Sequence, residues 1–289
     1  MPAFKTVAII GRNESPGIAK ALVTLGEYLR KQGCAVLVEK ETAAINGAAG
    51  FPVADYPAIG ARADLVVVQG GDGSMLSAAR SLAGRDVPLV GVNQGRLGFM
   101  TDIASSEMIE AMGEILAGKY AIEERTMLAA EVRRDAAITF TTLALNDAVV
   151  NKGSVGRLIE FVVNIDGEFV YDLRADGLIV TTPTGSTAYA LSANGPIVQP
   201  GVPGFALVPI SPHTLSNRPI MISDRSKIEI SLKRAGDARL HFDGQLQFDL
   251  QEGDRVVIRR AEHTIKFVHP PGYSYFTMLR EKLHWSEGL

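Results

Sequence analysis

The first hundred or so residues alternate short apolar runs with longer amphipathic stretches. The runs "TVAIIGR", "CAVLVEK", "ADLVVVQGG" and "VPLVGVN" have the length and composition of buried strands. The stretch "SPGIAKALVTLGEYLRKQG" places Ile18, Leu22, Leu25 and Leu29 at helical spacing, and "SMLSAARSLAG" also suits a helix. Alternating strands and helices predict an α/β domain whose parallel sheet is covered on both faces.

The pattern changes to strict alternation after about residue 120. "RLIEFVVNIDGEFVYDL" forms two alternating runs around Asp166–Gly167, and Asp243–Gly244 is a second candidate hairpin turn. "SKIEISLKR", "DRVVIRR" and "HTIKFV" continue in the same manner. We therefore predict an N-terminal α/β domain over residues 1–120 and an all-β sandwich over 121–289, with the tail 272–289 packing back on the first domain.

Composition excludes several classes of protein. The chain has 289 residues, 46% of them apolar, and its net charge of −3 without a long basic run argues against nucleic-acid binding. Cys34 is the only cysteine, which excludes an internal disulfide and a cysteine-held zinc. The histidines have no metal-ligand spacing and are interpreted as incidental. The first apolar run is too short for a signal peptide or a membrane span, so we expect a cytoplasmic protein with no membrane association.

The apolar run "VVVQGGDGSML" ends in three glycines that bracket Asp72. Glycines after a strand let backbone N–H groups approach a phosphate, but a carboxylate repels phosphate and is expected there only if a metal or the chemistry requires it. The alternative is a tight strand-to-helix turn capped by Ser74, and this stretch alone leaves both interpretations open. The chain contains neither G-x-x-x-x-G-K-[ST] nor G-x-G-x-x-G, which argues against a P-loop and an ordinary dehydrogenase site.

A second glycine-rich turn, "GVNQGRLGFM", follows the next predicted strand. In a parallel sheet both turns lie at the carboxyl edge, where open α/β folds bind ligands. We predict a phosphate cradle for ATP formed by Gly70, Gly71, Gly73, Ser74, Asn93, Gly95 and Gly98.

The second half is rich in polar groups at "LRADGLIVTTPTGSTAYALSANGP". A helix cap by Thr184 or Ser186 would explain one or two of these residues and leave the others unexplained. Asn146–Asp147 ends the strand "TLALNDAVV", where a simple turn is the alternative. Hydroxyls, amides and carboxylates are the groups that ribose and amide recognition requires.

The motifs "GGDGS", "NQGRLGF", "ND", "ADGLIVTTPTGSTAYALSANGP" and "PISPHTLSNRP" occur in the order seen in bacterial NAD kinases, which this sequence resembles from about Val7 to Pro219. A weaker similarity covers Asp243 to Gln245. The TPTGSTAY block is the most specific element, whereas GGDG is shared with lipid kinases and, more distantly, phosphofructokinases. The sequence departs from the commonest spelling at Ser74, often threonine, and Ala175, often glycine.

The resemblance implies transfer of the γ-phosphoryl group of ATP to the 2′-hydroxyl of the adenosine ribose of NAD, assisted by Mg²⁺, with Asp72 as proton acceptor. It implies a Rossmann-like nucleotide-binding domain of the GGDG kinase type, an NAD-binding β-sandwich, and a homodimer or homotetramer. No side chain is assigned as a metal ligand. The residues carried over as NAD contacts are Asp72, Gly73, Asn146, Asp147, Arg157, Arg174, Asp176, Thr187, Ala188, Tyr189, Ala190, Leu191, Ser192 and Gln245.

Alternatives remain for the residues and for the function. Asp147 and Asp176 also suit solvated turn acids, Arg157 an exposed surface cation, and Gln245 a neighbour of the hairpin turn. A lipid kinase would need an apolar cleft where this chain has hydroxyls and amides. A dinucleotide sensor without turnover would have no use for the carboxylate of Asp72 beside phosphates.

Overall fold

The computed structural model describes residues 2–11, 16–48, 50–95, 98–153, 158–214 and 216–285. The strands are β1 (Thr6–Ile10), β2 (Ala35–Glu39), β3 (Val53–Ala54), β4 (Leu65–Gln69), β5 (Leu89–Asn93), β6 (Ile103–Ala104), β7 (Ala121–Arg125), β8 (Leu128–Arg134), β9 (Ala137–Ala144), β10 (Asp147–Asn151), β11 (Ile159–Ile165), β12 (Glu168–Ala175), β13 (Gly177–Thr181), β14 (Gly204–Ile210), β15 (Ile220–Ser223), β16 (Ile228–Arg234), β17 (Arg239–Phe242), β18 (Leu246–Asp249), β19 (Arg255–Arg260) and β20 (Ile265–His269). The helices are α1 (Pro16–Lys31), α2 (Lys40–Asn46), α3 (Tyr56–Arg62), α4 (Asp72–Leu82), α5 (Met108–Leu116), α6 (Tyr189–Ser192) and α7 (Tyr275–Leu283).

The chain divides into two compact units, Met1–Glu124 with Ile265–Leu289, and Arg125–Thr264. This division differs from the predicted ranges 1–120 and 121–289 because residues 121–124 and 265–289 belong with the first unit. The second unit is therefore one continuous insertion into the first. None of the helices in the described ranges is long and apolar enough to cross a membrane.

The first unit contains a mostly parallel sheet with the strand order β3-β2-β1-β4-β5-β20-β7, and β6 pairs with β5. Helix α1 packs its apolar face on this unit's core, since Ile18, Leu22, Leu25 and Leu29 are all buried as predicted. The neighbouring strands β4 and β5 run parallel, with Gln69 opposite Val92. The chain therefore leaves both strands at the same edge of the sheet, as the α/β prediction requires.

Strand β20 is a correction to the sequence prediction. The run "HTIKFV" was assigned to the β-sandwich, but Phe267 pairs in parallel with Leu89 of β5. Phe267, Val268 and His269 are consecutive buried residues, as expected of a strand covered on both faces. Its alternating residues were mistaken for those of a half-exposed strand because a five-residue run carries little periodicity information.

The second unit contains two six-stranded sheets, β15-β14-β13-β10-β17-β18 and β12-β11-β16-β19-β8-β9. Residues from both sheets, including Phe161, Phe205 and Phe242, form one buried core. The predicted hairpin turns are present, because Asp166 and Asp243 both have positive φ angles, of 53°, and each precedes a glycine that also has positive φ. The prediction of an α/β domain followed by antiparallel sheets is confirmed.

Candidate active site

Asp72 is the first residue of helix α4, directly after the turn that leaves β4. Gly70 has a φ of 157° and approaches Ser74 closely, so a side chain at position 70 would collide with the Ser74 hydroxyl. Gly71 occupies the N-cap position without a side-chain cap, and its carbonyl accepts a hydrogen bond from the Ser74 N–H at 2.9 Å. Ser74 is buried and does not cap α4, whereas the interpretation of this stretch as a simple strand-to-helix turn predicted that it would.

The carboxylate of Asp72 joins the two glycine-rich turns. Its Oδ2 accepts a hydrogen bond from the Phe99 N–H at 2.8 Å, and its Oδ1 accepts one from the Met100 N–H at 2.9 Å. The Thr101 hydroxyl lies 3.4 Å from Oδ1. These bonds fix the position of the carboxylate at the carboxyl edge of the sheet, while the side chain remains partly exposed to solvent.

Asn93 organises the second turn from the end of β5. Its amide nitrogen donates to the Thr101 hydroxyl at 3.0 Å, and its side-chain oxygen accepts from the Gly95 N–H. The Gly98 N–H donates to the Thr101 carbonyl at 3.2 Å. Thr101, which the sequence did not single out, is therefore the link between Asn93 and Asp72. Arg96 and Leu97 lie outside the described residues.

The seven residues of the predicted phosphate cradle thus lie in or directly beside the two turns at one sheet edge, with Gly73 and Ser74 in the first turn of α4 and Asn93 at the end of β5. Gly98 shows how closely these turns approach, because a methyl carbon built on it would lie 2.8 Å from the Asp72 carboxyl carbon. Only a residue without a side chain fits at this contact. The seven residues are Gly70, Gly71, Gly73, Ser74, Asn93, Gly95 and Gly98.

In the second unit, Asn146 and Asp147 are held by the carboxylate of Asp243. Asp243 Oδ1 accepts from the Asn146 N–H at 2.7 Å and the Asp147 N–H at 3.3 Å, and Oδ2 accepts from the Leu145 N–H at 3.1 Å. Asn146 lies between β9 and β10, and Asp147 begins β10 rather than ending a strand. The sequence assigned Asp243 only to a hairpin turn, so its contact with a segment nearly a hundred residues earlier was missed.

Asp147 is a buried acid next to a second acid. Burial raises the pKa of Asp147 to about 7, and the negative charge of Asp243 adds to the rise. Asp147 therefore changes its charge near neutral pH, unlike the solvated turn acid that was the alternative interpretation. Such a perturbed carboxyl in a cavity is typical of functional sites.

A cavity of about 320 Å³ lies beside this acid pair. Four predicted site residues line it, Asn146, Asp147, Ala188 and Tyr189, and a larger cavity of about 530 Å³ shares Tyr189 and adds Ser192. The smaller cavity is also lined by Val149, Asn151, His241, Asp243 and Gly244. His241 was interpreted as incidental from the sequence and proves to face this cavity.

The TPTGSTAY segment forms a 3₁₀ turn, Thr184–Thr187, followed by the short helix α6. Neither Thr184 nor Ser186 caps α6. Ser186 instead donates to the Pro183 carbonyl and accepts from the Val198 N–H, and Thr184 accepts from the buried Arg125. These hydroxyls therefore hold the 3₁₀ turn in place directly before Ala188 and Tyr189, which line the cavity.

The remaining predicted NAD contacts are spread over the second unit. Asp176 forms an ion pair with Lys152 at 2.6 Å, and the exposed Arg174 lies 3.8 Å from Glu160. Gln245 is exposed in the β17–β18 turn. The three do not line either cavity.

The other residues that the resemblance implies as NAD contacts lie around α6, in α4 or outside the described residues. Ala190 is completely buried in a small core with Val149 and Ile179, and Thr187 and Leu191 flank the cavity-lining residues in sequence. Arg157 lies outside the described residues. Gly73 belongs to α4 in the first unit, next to Asp72.

Comparison with known proteins agrees with these features. Residues 7–120 match the family described as ATP-NAD kinase N-terminal domain, and residues 145–270 match ATP-NAD kinase C-terminal domain. The chain is 57% identical to a NAD kinase of Aromatoleum aromaticum over 98% of this chain and 95% of that protein.

Two solved structures share the architecture. Yeast NADH kinase complexed with NADH superimposes with a TM-score of 0.90 at 28% identity, covering 100% of this chain and 90% of that one. A NAD kinase from Archaeoglobus fulgidus in complex with ATP gives 0.76 at 25% identity, covering 96% and 98%.

Proposed function

This chain belongs to the NAD kinase family and uses ATP to phosphorylate NAD to NADP, and we propose that Asp72 is the proton acceptor of this transfer. Family membership removes the lipid kinase and the sensor without turnover as alternatives. The observation that supports the proposal is the carboxylate of Asp72, held by two backbone N–H groups at the carboxyl edge of the sheet and still partly open to solvent.

The hydrogen bonds to Asp72 leave it able to accept a proton. Two carboxylate oxygens offer about four lone-pair positions, and the described turn uses at most three of them. In the proposed step the ribose 2′-oxygen bonds to the γ-phosphorus while the bond to the bridging oxygen of ADP breaks. The hydroxyl proton passes to the Asp72 carboxylate as the new bond forms. Phosphoryl transfer depends mainly on positioning, and the fixed carboxylate supplies it.

The phosphates of ATP require compensation of charge beside Asp72. We propose that the backbone N–H groups of the glycine-rich turns hold these phosphates. Within the described residues no three His, Cys, Asp or Glu side chains form a cluster suited to a metal ion. The single carboxylate of Asp72 beside the glycine-rich turns fits a Mg²⁺ ion bound mainly through phosphate oxygens and water, since Mg²⁺ needs only one or two carboxylates besides substrate phosphates. An ion bound in this way would neutralise negative charge on the transferring phosphoryl group.

We assign the NAD contacts in the second unit chiefly to the cavity beside Asn146 and Asp147. Its amides, its titrating carboxyl and the Tyr189 hydroxyl are suited to ribose and carboxamide groups. The complex of yeast NADH kinase with NADH supports a dinucleotide ligand for this fold. The roles of Arg157, Arg174, Asp176 and Gln245, a homodimer or homotetramer, and a cytoplasmic location rest on the family resemblance.

Replacing Asp72 by asparagine tests the proposed role of the carboxylate. Because general-base catalysis contributes roughly a hundred- to ten-thousand-fold, Asp72→Asn should reduce kcat by that factor while NAD binding changes little. NADP formation from NAD, ATP and Mg²⁺ is measured with an NADP-specific dehydrogenase, and NAD affinity by calorimetry.

Asp135→Asn is the matched control. Asp135 is exposed and has a φ of 49°, a conformation that asparagine adopts readily, so this variant should retain activity. A folded Asp72→Asn enzyme with the kcat of the Asp135→Asn control would refute the assignment of Asp72 as proton acceptor.

A further inference from the structure

His269 is a buried histidine of the first unit that bridges two carboxylates. Its Nδ1 lies 2.8 Å from Asp102 Oδ2, and its Nε2 lies 3.1 Å from Glu123 Oε2. The imidazole ring stacks on Tyr273, with 3.7 Å between ring centroids and 7° between planes. The histidine is only 2% exposed, so its orientation is fixed by these contacts.

Both partners of His269 are carboxyl groups. Carboxylate oxygens accept hydrogen bonds, so both ring nitrogens face acceptors, an arrangement that favours the imidazolium form. Burial alone lowers the pKa of His269, but the hydrogen bonds and charges of Asp102 and Glu123 outweigh burial and raise it above its ordinary value. The two ring nitrogens therefore contact two different carboxyl groups, those of Asp102 and Glu123.

The hydrogen bond between His269 and Asp102 connects the ring to the segment that holds the proposed proton acceptor, Asp72. Asp102 directly follows Met100 and Thr101, which contact the Asp72 carboxylate through a backbone N–H and a hydroxyl. The Oδ1 atom of Asp102 is buried and makes no hydrogen bond within the described residues, so this side chain is held through Oδ2 and His269. A shift of Asp102 therefore moves the backbone that holds Asp72.

The hydrogen bond between His269 and Glu123 connects the ring to a different segment, the strand β7. Glu123 lies in β7, which is adjacent to β20 in the sheet, and its side chain is 25% exposed to solvent. The two hydrogen bonds of one ring thus join His269 to two different segments of the first unit, which allows them to be tested separately.

We propose that His269 is a positioning residue for phosphoryl transfer, acting through Asp102 on the 98–102 turn that holds the Asp72 carboxylate. This inference rests on the proposed role of Asp72 as proton acceptor. His269 lies almost two hundred positions after Asp72 in the chain, and the inference gives it a part in setting the geometry of the reaction.

Two conservative variants separate the two hydrogen bonds. His269→Asn keeps a donor near the position of Nδ1, facing Asp102, whereas His269→Gln keeps a donor near the position of Nε2, facing Glu123. Both remove the ring and its stacking on Tyr273, so both should lower the melting temperature. Only His269→Gln should lower kcat, by roughly 10-fold, because it alone releases the turn that positions Asp72. The KM for NAD should stay unchanged in both variants.

A second pair of variants keeps the test decisive if one histidine variant fails to fold. Asp102→Asn should lower kcat by a similar factor, and Glu123→Gln should not. His263→Asn, at an exposed histidine of the second unit, controls for the substitution itself. Equal kcat values in His269→Asn and His269→Gln, or in Asp102→Asn and Glu123→Gln, would overturn the inference. Full activity of Asp72→Asn would instead overturn the proposed function, so the two failures are distinguishable.

Discussion

A single methyl group added at Gly98 should displace the Asp72 carboxylate without removing it. The added Cβ would lie 2.8 Å from the Asp72 carboxyl carbon, and closer still to Oδ1 and to the Thr101 hydroxyl oxygen. Carbon atoms pack best at about 3.5 to 4.0 Å, so the carboxylate or the turn must move by about 1 Å.

A displacement of this size has a predictable cost in rate. Misplacing a reacting group by about 1 Å costs on the order of a hundredfold, which corresponds to ~2.7 kcal/mol in the activation barrier. We therefore expect Gly98→Ala to lower kcat about a hundredfold with little change in the KM for NAD. The coupled NADP assay at saturating ATP and Mg²⁺ measures both constants.

Gly201→Ala is the matched control for this substitution. Gly201 is exposed, has no atom within 4 Å of an added Cβ and has a backbone outside the left-handed region. It should retain the activity and the melting temperature of the parent. If Gly98→Ala folds and keeps a kcat close to that of Gly201→Ala, the contact between the two turns does not set the rate, and the argument from the position of Asp72 is wrong.

Two further predictions concern stability. Because the pKa of Asp147 is raised to about 7, the free energy of unfolding should fall as pH rises from about 4 to 7, by on the order of 4 kcal/mol at ~1.36 kcal/mol per pH unit. In Asp147→Asn this fall should be absent, and urea unfolding at about pH 4 and about pH 8 measures it. A pH dependence that persists in the variant would contradict the assignment. Phe161→Ala removes a completely buried ring from the core of the second unit and should cost about 3 to 5 kcal/mol in urea unfolding; a cost near zero would mean that the core closes around the gap.

Local patterns were sufficient to predict the elements and their class. The buried positions of α1 follow directly from the spacing of Ile18, Leu22, Leu25 and Leu29, and the Asp–Gly pairs gave both hairpin turns. The two glycine-rich turns could be placed at one edge because parallel neighbours share their carboxyl ends. These features depend only on residues close together in the chain.

The contacts that hold the candidate site depend on distant pairings, which periodicity does not encode. Asp243 looks like any residue of a type I′ turn until β17 pairs with β10 and brings its carboxylate to the N–H groups of Asn146 and Asp147. His269 looked incidental because its partners are 167 and 146 residues away. Thr101 has no distinguishing neighbour in sequence, and only the folded turn brings it between Asn93 and Asp72.

The return of β20 to the first sheet also has a consequence for the order of folding during synthesis. In the strand order of that sheet, β20 lies between β5 and β7, so the sheet is incomplete until the ribosome has added residue 269. All strands of the two antiparallel sheets lie within the continuous stretch Arg125–Thr264 and are complete earlier. Since domains generally fold as units as they emerge, we expect the inserted unit to fold first. Until then β5 lacks its pairing with β20 at Leu89 and β7 lacks its neighbour in the sheet, which leaves open strand edges of the kind on which nascent chains aggregate.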